Sequence, residues 1–273
     1  MRARLWPVFA VVLALLVPLE AMASRCYAFV DREAGIRFAS LGPLHLAEAA
    51  AGEIRILYVG HSTYRIETPA GVSINTDYYG LNGPGGIPRV VTMNRAHETH
   101  YTDYPDPAIE HVLRGWNPVG DGPAVHQLEV EDVVIRNVTT DIRGFGGNMM
   151  DGNSIFVFEV ADLCIAHLGH LHHPLSEEQY ALLGRIDILM IPVDGTWTMA
   201  VPRMVELAQR LKSQIVLPMH YWGAASLQRF VAGMGDDFAV RVAEEPVLRI
   251  SVETLPSEPT VVVLPRASFR GVD

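Results

Sequence analysis

The sequence contains a single lysine, Lys212, and only two cysteines, Cys26 and Cys164. No Cys-x-x-Cys pair occurs, which excludes a zinc site built on paired thiolates. The formal net charge of −10 at pH 7 disfavours binding to a phosphate backbone, so nucleic acid is not an expected partner. Hydrophobic residues make up 49% of the chain, and this proportion excludes disorder as a global state.

The two cysteines are expected to remain unpaired. Cys164 lies in an apolar run that predicts a strand, where a buried free thiol is the ordinary interpretation. The alternative is a disulfide with Cys26, which an exported protein would permit.

The first 23 residues have the pattern of a secretory signal peptide. Arginines near the start supply the positive end, an apolar stretch covers 5–19, and an A-x-A cleavage site precedes Ser24. A membrane anchor is the alternative, but the stretch is shorter than the ~20 residues that span a bilayer, and Pro18 would break its helix. We expect the mature chain, 24–273, to be one periplasmic or secreted domain that is free of the membrane.

Strand and helix signals alternate along the chain and predict an α/β domain. Strands are predicted at 54–59, 89–93, 187–193 and 214–218, two short strands over 127–138, hairpins over 62–76 and 154–166, and two or three strands near the C-terminus. Helices are predicted at 106–116, from Ser176 (which forms a capping box with Gln179) to Leu183, and at 201–211 and 227–234. Hairpins in the first half and β-α-β units in the second favour packed sheets with helices outside.

Histidine positions carry the strongest functional signal. Eight of the eleven histidines lie at or just beyond predicted strand ends: His61, His97, His100, His167, His170, His172, His173 and His220. Ligands of open α/β folds bind beyond the carboxyl ends of strands, and three converging imidazoles bind Zn²⁺ well. A lone histidine is more often structural, but several segments that each end in histidine predict a metal site.

Five short motifs contain most of these histidines and follow one another along the chain: GHST at 60–63, NTD at 75–77, RAHETH at 95–100, HLGH at 167–170 and PMHY at 218–221. In this order they resemble the metallo-β-lactamase superfamily, in particular its lactonase-like and phosphodiesterase-like hydrolases. The resemblance covers roughly 53–225. It implies an αβ/βα sandwich of two mixed β-sheets with outer helices, and a metal site at one edge of the sheets.

The chain departs from the family signature H-x-H-x-D-H in ways that alter the implied metal site. Arg95 replaces the first histidine, Thr99 replaces the aspartate, and residues 140–143, where the family has its next ligand, contain no histidine. His170 replaces the bridging aspartate. Of one metal's ligands only His97 is kept, beside a fixed positive charge that would repel a cation.

The resemblance therefore implies a mononuclear site with His100, His170 and His220 as ligands and His97 beside them. Such a site keeps an open position for water, whose pKa Zn²⁺ lowers to about 7. One zinc ion is the favoured cofactor, and Fe²⁺ or Mn²⁺ are the alternatives.

Further residues are candidates for supporting roles. Asp77 resembles a buried aspartate that orients a ligand, with a turn residue as the alternative. His61 is expected to contact substrate or to cap its strand. Arg95 is expected to hold an anionic part of the substrate, unless it turns outward and pairs with a carboxylate. His172 or His173 could replace a lost ligand, and His167 is expected to pack between the sheets.

Two functions are compatible with these features. The first is a metal-dependent hydrolase of a small ester, lactone or phosphodiester that uses a metal-bound water. The second is a catalytically degenerate member of the family that binds metal or ligand without turnover, an interpretation that rests on loss of the signature aspartate. Substrate and oligomeric state are left open by the sequence.

Overall fold

Two mixed β-sheets form the framework of the protein. The computed structural model describes Cys26 and residues 52–144 and 147–267, so the predicted signal peptide lies outside the described residues. The six-stranded sheet contains, in spatial order, β13 (Val247–Ile250), β1 (Ile54–Gly60), β2 (Thr63–Glu67), β3 (Ser73–Asn75), β4 (Val90–Met93) and β5 (His111–Arg114). The eight-stranded sheet contains β12 (Ala239–Val242), β14 (Thr260–Val263), β11 (Ile215–Met219), β10 (Ile188–Pro192), β9 (Leu163–His167), β8 (Gly147–Val160), β7 (Val133–Gly144) and β6 (Gln127–Val130).

The main core fills the space between the sheets. Ile56 and Ile66 of the six-stranded sheet share one buried cluster with Phe158 and Met190 of the eight-stranded sheet. A second cluster covers the opposite face of the eight-stranded sheet with three helices: α1 (Glu177–Leu183), α2 (Val201–Leu211) and α3 (Ala224–Met234). The expected sandwich of two mixed sheets with outer helices is thus confirmed. Among the described residues, no helix is long and apolar enough to cross a membrane.

Local sequence patterns account for most of these elements. The hairpin β2–β3 turns at 68–72, where the backbone N–H of Gly71 donates to the carbonyl of Thr68. All five residues of β10 are buried, as expected for a parallel strand covered on both faces. In α2 the buried residues recur at the helical period and face the sheet. The predicted capping box is present, since Ser176 and Gln179 bond reciprocally at the start of α1.

The helix predicted over 106–116 is wrong. Asp106 caps only a turn, in which its carboxylate accepts the backbone N–H of Ala108. The chain then enters β5, which pairs in parallel with β4, Val91 opposite Val112. The pairing with β4 is non-local and outweighs the local helix signal.

The expectation of unpaired cysteines is also wrong. Cys26 and Cys164 form a disulfide across a sequence separation of 138 residues. Cys164 is buried in β9, as expected, but Cys26 lies beside it, and the carbonyl of Cys26 accepts the backbone N–H of Arg185. Strand composition indicated the burial of Cys164 and gave no information about a partner so distant in the chain.

Candidate metal centre

Five histidine rings meet beyond the carboxyl ends of the strands, at one edge of the sandwich. They come from four segments: His61 follows β1, His97 and His100 follow β4, His170 follows β9, and His220 follows β11. Ring centroids of neighbouring pairs lie between 4.2 Å (His61 and His220) and 5.9 Å (His61 and His97) apart. The two sheets are joined here, because the backbone N–H of His220 donates to the carbonyl of His61 over 2.8 Å.

Four of these histidines form a group with the chemistry of a metal site. One ring nitrogen from each of His61, His97, His100 and His220 lies within 4.8 Å of the others. The Nε2 atoms of His61, His100 and His220 are buried and have no hydrogen-bond partner. Buried nitrogens are costly to leave unpaired, and a divalent cation would satisfy several at once. The residues present therefore fit a bound metal ion.

Burial favours the neutral state of His61, His97 and His100, and the neutral imidazole is the form that binds a metal. Burial, reinforced by the neighbouring His220 and His97, lowers the pKa of His61 to about 3. The same causes hold the pKa of His100 well below its ordinary value, and burial lowers the pKa of His97.

A buried chain of hydrogen bonds fixes the ring of His100. Its Nδ1 lies 2.6 Å from Oδ2 of Asp77, and Nδ2 of Asn94 donates to the other oxygen of that carboxylate over 2.8 Å. The Asn94 side-chain oxygen accepts the backbone N–H of Ser154, which ties the chain to β8. Burial raises the pKa of Asp77, while nearby imidazoles and Asn94 oppose that rise. With Nδ1 facing a carboxylate, Nε2 of His100 is directed to the cluster as a ligand.

Asp194 plays a comparable part beside His220, at 3.1 Å between Oδ1 and Nδ1, although the ring N–H does not point at the oxygen. Its carboxylate also accepts the backbone N–H groups of Thr196, Trp197 and Thr198. Burial alone would raise the pKa of Asp194, but the neighbouring His220 and hydrogen bonds from Thr198 and Thr196 outweigh it and bring the pKa below the ordinary value. The residue follows β10 at the same sheet edge, and this position is the sequence signal that could have identified it.

His170 contacts the cluster from the other side. Its ring centroid lies 4.6 Å from that of His100 and 4.9 Å from that of His220. Its Nδ1 lies 2.5 Å from Nε2 of His172, and its own Nε2 is buried without a partner. His172, which was a candidate to replace a lost ligand, is buried and contacts His170.

Arg95 lies outside the histidine cluster. Its side chain is exposed and lines a cleft of about 410 Å³ with Trp116 and Met150. None of the clustered histidines is among the described residues that line this cleft. Binding of an anionic substrate group by Arg95 stays a prediction.

Two tryptophans flank the opening of the cluster. Trp222 is 72% exposed, with its ring centroid 4.8 Å from that of His61. Trp197 is 63% exposed and lies 6.2 Å from the ring of His97. Large exposed aromatic rings beside buried polar groups are typical of the rim of a small-molecule site. Trp197 was not among the residues that the sequence indicated, although it lies on the loop that also carries Asp194.

The remaining histidines at strand ends have structural positions. His167 is buried between the sheets as expected, where Nε2 faces the carbonyl of Ser62 and Nδ1 accepts the backbone N–H of Gly169. His173 is half-buried and lines a separate cavity beside β7.

Comparison with known proteins agrees with this fold. A family profile described as a β-lactamase superfamily domain matches residues 55–220, which is more than half of the chain. The chain belongs to this family, and so to the metallo-β-lactamase superfamily. It is a metal-dependent hydrolase of that superfamily.

Individual relatives have low sequence identity to this chain, but the matches cover most of each relative's length. A UPF0173 protein of Pyrococcus abyssi is 24% identical and covers 65% of this chain and 89% of its own length. A UPF0173 metal-dependent hydrolase of Salinibacter ruber is 24% identical over 61% of this chain and 84% of its own length. A Thermotoga maritima structure, provisionally assigned as a Zn-dependent hydrolase of the metallo-β-lactamase superfamily, is 26% identical with a TM-score of 0.56, and covers 78% of this chain and all of that one.

Proposed function

We propose that the protein hydrolyses a small ester, lactone or phosphodiester with one divalent metal ion bound at the histidine cluster. The observation that carries this proposal is the convergence of buried Nε2 atoms without partners from His61, His100 and His220. His100 and His220 are the fixed ligands, since a carboxylate lies beside Nδ1 of each, and His61 and His97 complete the set.

The donor set favours zinc, with Fe²⁺ or Mn²⁺ as alternatives that depend on supply. When bound, such an ion supplies a Lewis acid that polarises the substrate and activates water near neutral pH. The protein's own groups hold the imidazoles in place: Asp77 and Asn94 orient His100, and Asp194 lies beside His220.

The rim of the site supports a small organic substrate. Trp222 lies beside His61 and Trp197 beside His97, and both offer aromatic surface to an apolar part of the molecule. Arg95, on the loop that also carries His97, would meet an anionic group extending from the site. The net charge of −10 supports a small molecule rather than a nucleic acid as substrate.

We also propose that the protein is exported, to the periplasm or out of the cell. The disulfide between Cys26 and Cys164 supports this, because disulfides persist in oxidising compartments. Cell fractionation with N-terminal sequencing should find an extracytoplasmic chain beginning near Ser24. A cytoplasmic chain that keeps Met1 would contradict export.

The test of activity is a panel of chromogenic esters, lactones and phosphodiesters assayed with the zinc-loaded protein. We expect one class to be hydrolysed and the activity to vanish with a chelator and return with added zinc. The variant His100→Ala is the blank for contaminating hydrolases, and it should be inactive while folded. A metal-loaded, folded protein that turns over none of the three classes would favour the degenerate binder instead.

A further inference from the structure

His170 and His100 belong to the same cluster, but the groups beside their Nδ1 atoms differ in hydrogen-bonding character. For His100 the neighbour is the Asp77 carboxylate, which can only accept a hydrogen bond while ionised. Nδ1 of His100 therefore carries the proton, and its Nε2 has a free lone pair. For His170 the neighbour is another imidazole, His172, so the proton on His170 depends on the tautomer of His172.

The tautomer of His172 is fixed by two donors. The backbone N–H of Arg143 donates to Nδ1 of His172 over 2.5 Å, and Nε of the same arginine approaches that atom at 3.4 Å. A nitrogen that accepts from a backbone N–H cannot carry a proton itself. The proton of His172 is consequently on Nε2, which lies 2.5 Å from Nδ1 of His170.

His172 must then donate to His170. Nδ1 of His170 accepts this hydrogen bond, so the proton of the neutral His170 ring is on Nε2. Both side chains are buried, which favours their neutral forms. The neutral His170 ring thus presents an N–H, rather than a lone pair, to the cluster.

The surroundings hold this arrangement in place. The Arg143 guanidinium donates to the carbonyls of Trp197 and Thr198, which anchors β7 to the loop after β10. The backbone N–H of His170 donates to Oδ1 of Asn153 over 2.7 Å. Nε2 of His170 is buried without a partner, and the ring lies 5.0 Å from that of His97 and 4.6 Å from that of His100, so its proton is available to a group that enters the cluster.

The sequence predicted that His170 is a metal ligand. We infer instead that His170 donates its Nε2–H to the substrate oxygen that gains negative charge during hydrolysis. His172 and the backbone of Arg143 are positioning groups that fix this tautomer. The donor role of His170 deepens the proposed hydrolase function and rests on it. The position of the proton on the His170 ring does not depend on any substrate.

A matched pair of variants separates a donor from a ligand. His170→Gln and His100→Gln make the same substitution at the two positions, and circular dichroism would verify that both fold. We expect His170→Gln to bind zinc within about threefold of the wild type, and His100→Gln to lose on the order of 100-fold in affinity. Equal loss in the two variants would overturn the inference.

The tautomer can be read directly in the metal-free and zinc-loaded protein. Long-range ¹H–¹⁵N NMR spectra should show the proton of His170 on Nε2 in both states, and the proton of His100 on Nδ1. A zinc-loaded protein in which Nε2 of His170 has lost its proton would contradict the inference, even if hydrolysis is observed.

Two variants at position 172 test the positioning role. Gln can still donate to Nδ1 of His170, whereas Glu can only accept there and would move the proton of His170 to Nδ1. We expect His172→Gln to keep the NMR signature and His172→Glu to reverse it. Identical spectra from the two variants would overturn the role of His172.

Measurements of turnover test the donor role of His170. On the substrate class found in the panel, His170→Ala should keep its zinc and lose about 10²–10³-fold in kcat, with partial recovery in His170→Gln. Full activity in zinc-loaded His170→Ala would overturn the donor role. If the wild type hydrolyses nothing, the proposed function fails, while zinc affinity and NMR still decide the tautomer.

Discussion

Oδ2 of Asp77 lies 2.6 Å from Nδ1 of His100, and both side chains are fully buried. This contact is the most direct link between the fold and the proposed metal ion, because Asp77 follows β3 and His100 follows β4 in the same sheet. The carboxylate sets which nitrogen of His100 faces the cluster. Substitutions that reverse its polarity without changing its shape therefore have a defined consequence.

Asp77→Asn should weaken metal binding by about 10–100-fold. Asn94 already donates to one oxygen of Asp77, so the oxygen of the introduced amide would take that bond and its NH₂ group would face Nδ1 of His100. The proton of His100 would then move to Nε2, where it blocks coordination. Competition with a chelating dye measures the affinity. Asp187→Asn, at a carboxylate that accepts the backbone N–H of Cys164, is the control and should leave affinity unchanged.

Asp194→Ala should both loosen His220 and destabilise the loop that carries Trp197. Three backbone N–H groups and two hydroxyls donate to this carboxylate, and each buried donor left unpaired costs about 1–3 kcal/mol. Urea denaturation and zinc titration would measure the two effects. Thr196→Val removes one hydroxyl donor and should lose only about 1 kcal/mol. Unchanged zinc affinity in Asp194→Ala would show that Asp194 has no part in the metal site.

Much of the fold follows from local sequence, and the exceptions are non-local. The turn of β2–β3 and the cap at Ser176 depend on residues close in the chain, so their patterns predict them. The segment at 106–116 forms β5 because β4 lies beside it, and a distant pairing cannot be inferred from local periodicity. The disulfide joins cysteines 138 residues apart in the chain, and composition does not indicate which distant residues lie close together.

The same distinction applies to the site. Histidines at strand ends predicted where ligands converge, and His97, His100, His170 and His220 do meet. The sequence could not indicate which ring nitrogen each presents, because that depends on partners such as Asp194 and on the backbone of Arg143. For the same reason the sequence predicted that His170 and His100 are both metal ligands, although the groups beside their Nδ1 atoms differ.

Loss of the disulfide should destabilise the fold without emptying the metal site. Cross-linking residues this far apart constrains the unfolded chain, and removal of such bridges typically costs about 2–4 kcal/mol. Guanidinium denaturation of Cys164→Ser should show this loss, and metal content at room temperature should stay that of the wild type. Added reductant should destabilise the wild type and leave Cys164→Ser unaffected. Equal stability of the two proteins without reductant would contradict the prediction.

The tryptophan rim should contribute to substrate binding rather than to the metal. Replacing Trp222 or Trp197 by Ala removes aromatic surface worth about 1–2 kcal/mol of binding, roughly a tenfold rise in KM. Steady-state kinetics on the substrate class found in the panel would measure it, with zinc content as the control. A fall in zinc content, or an unchanged KM in the double variant, would contradict a rim role.

The metal content of the purified protein tests the central claim most directly. Elemental analysis of protein prepared without added metal should find about one equivalent of a divalent transition metal in the wild type. His111→Ala, at a histidine on β5 outside the cluster, should keep that metal, whereas His100→Ala and His220→Ala should lose most of it while folded. Wild-type metal content in folded His100→Ala and His220→Ala, or two equivalents in the wild type, would contradict a single ion held by this cluster.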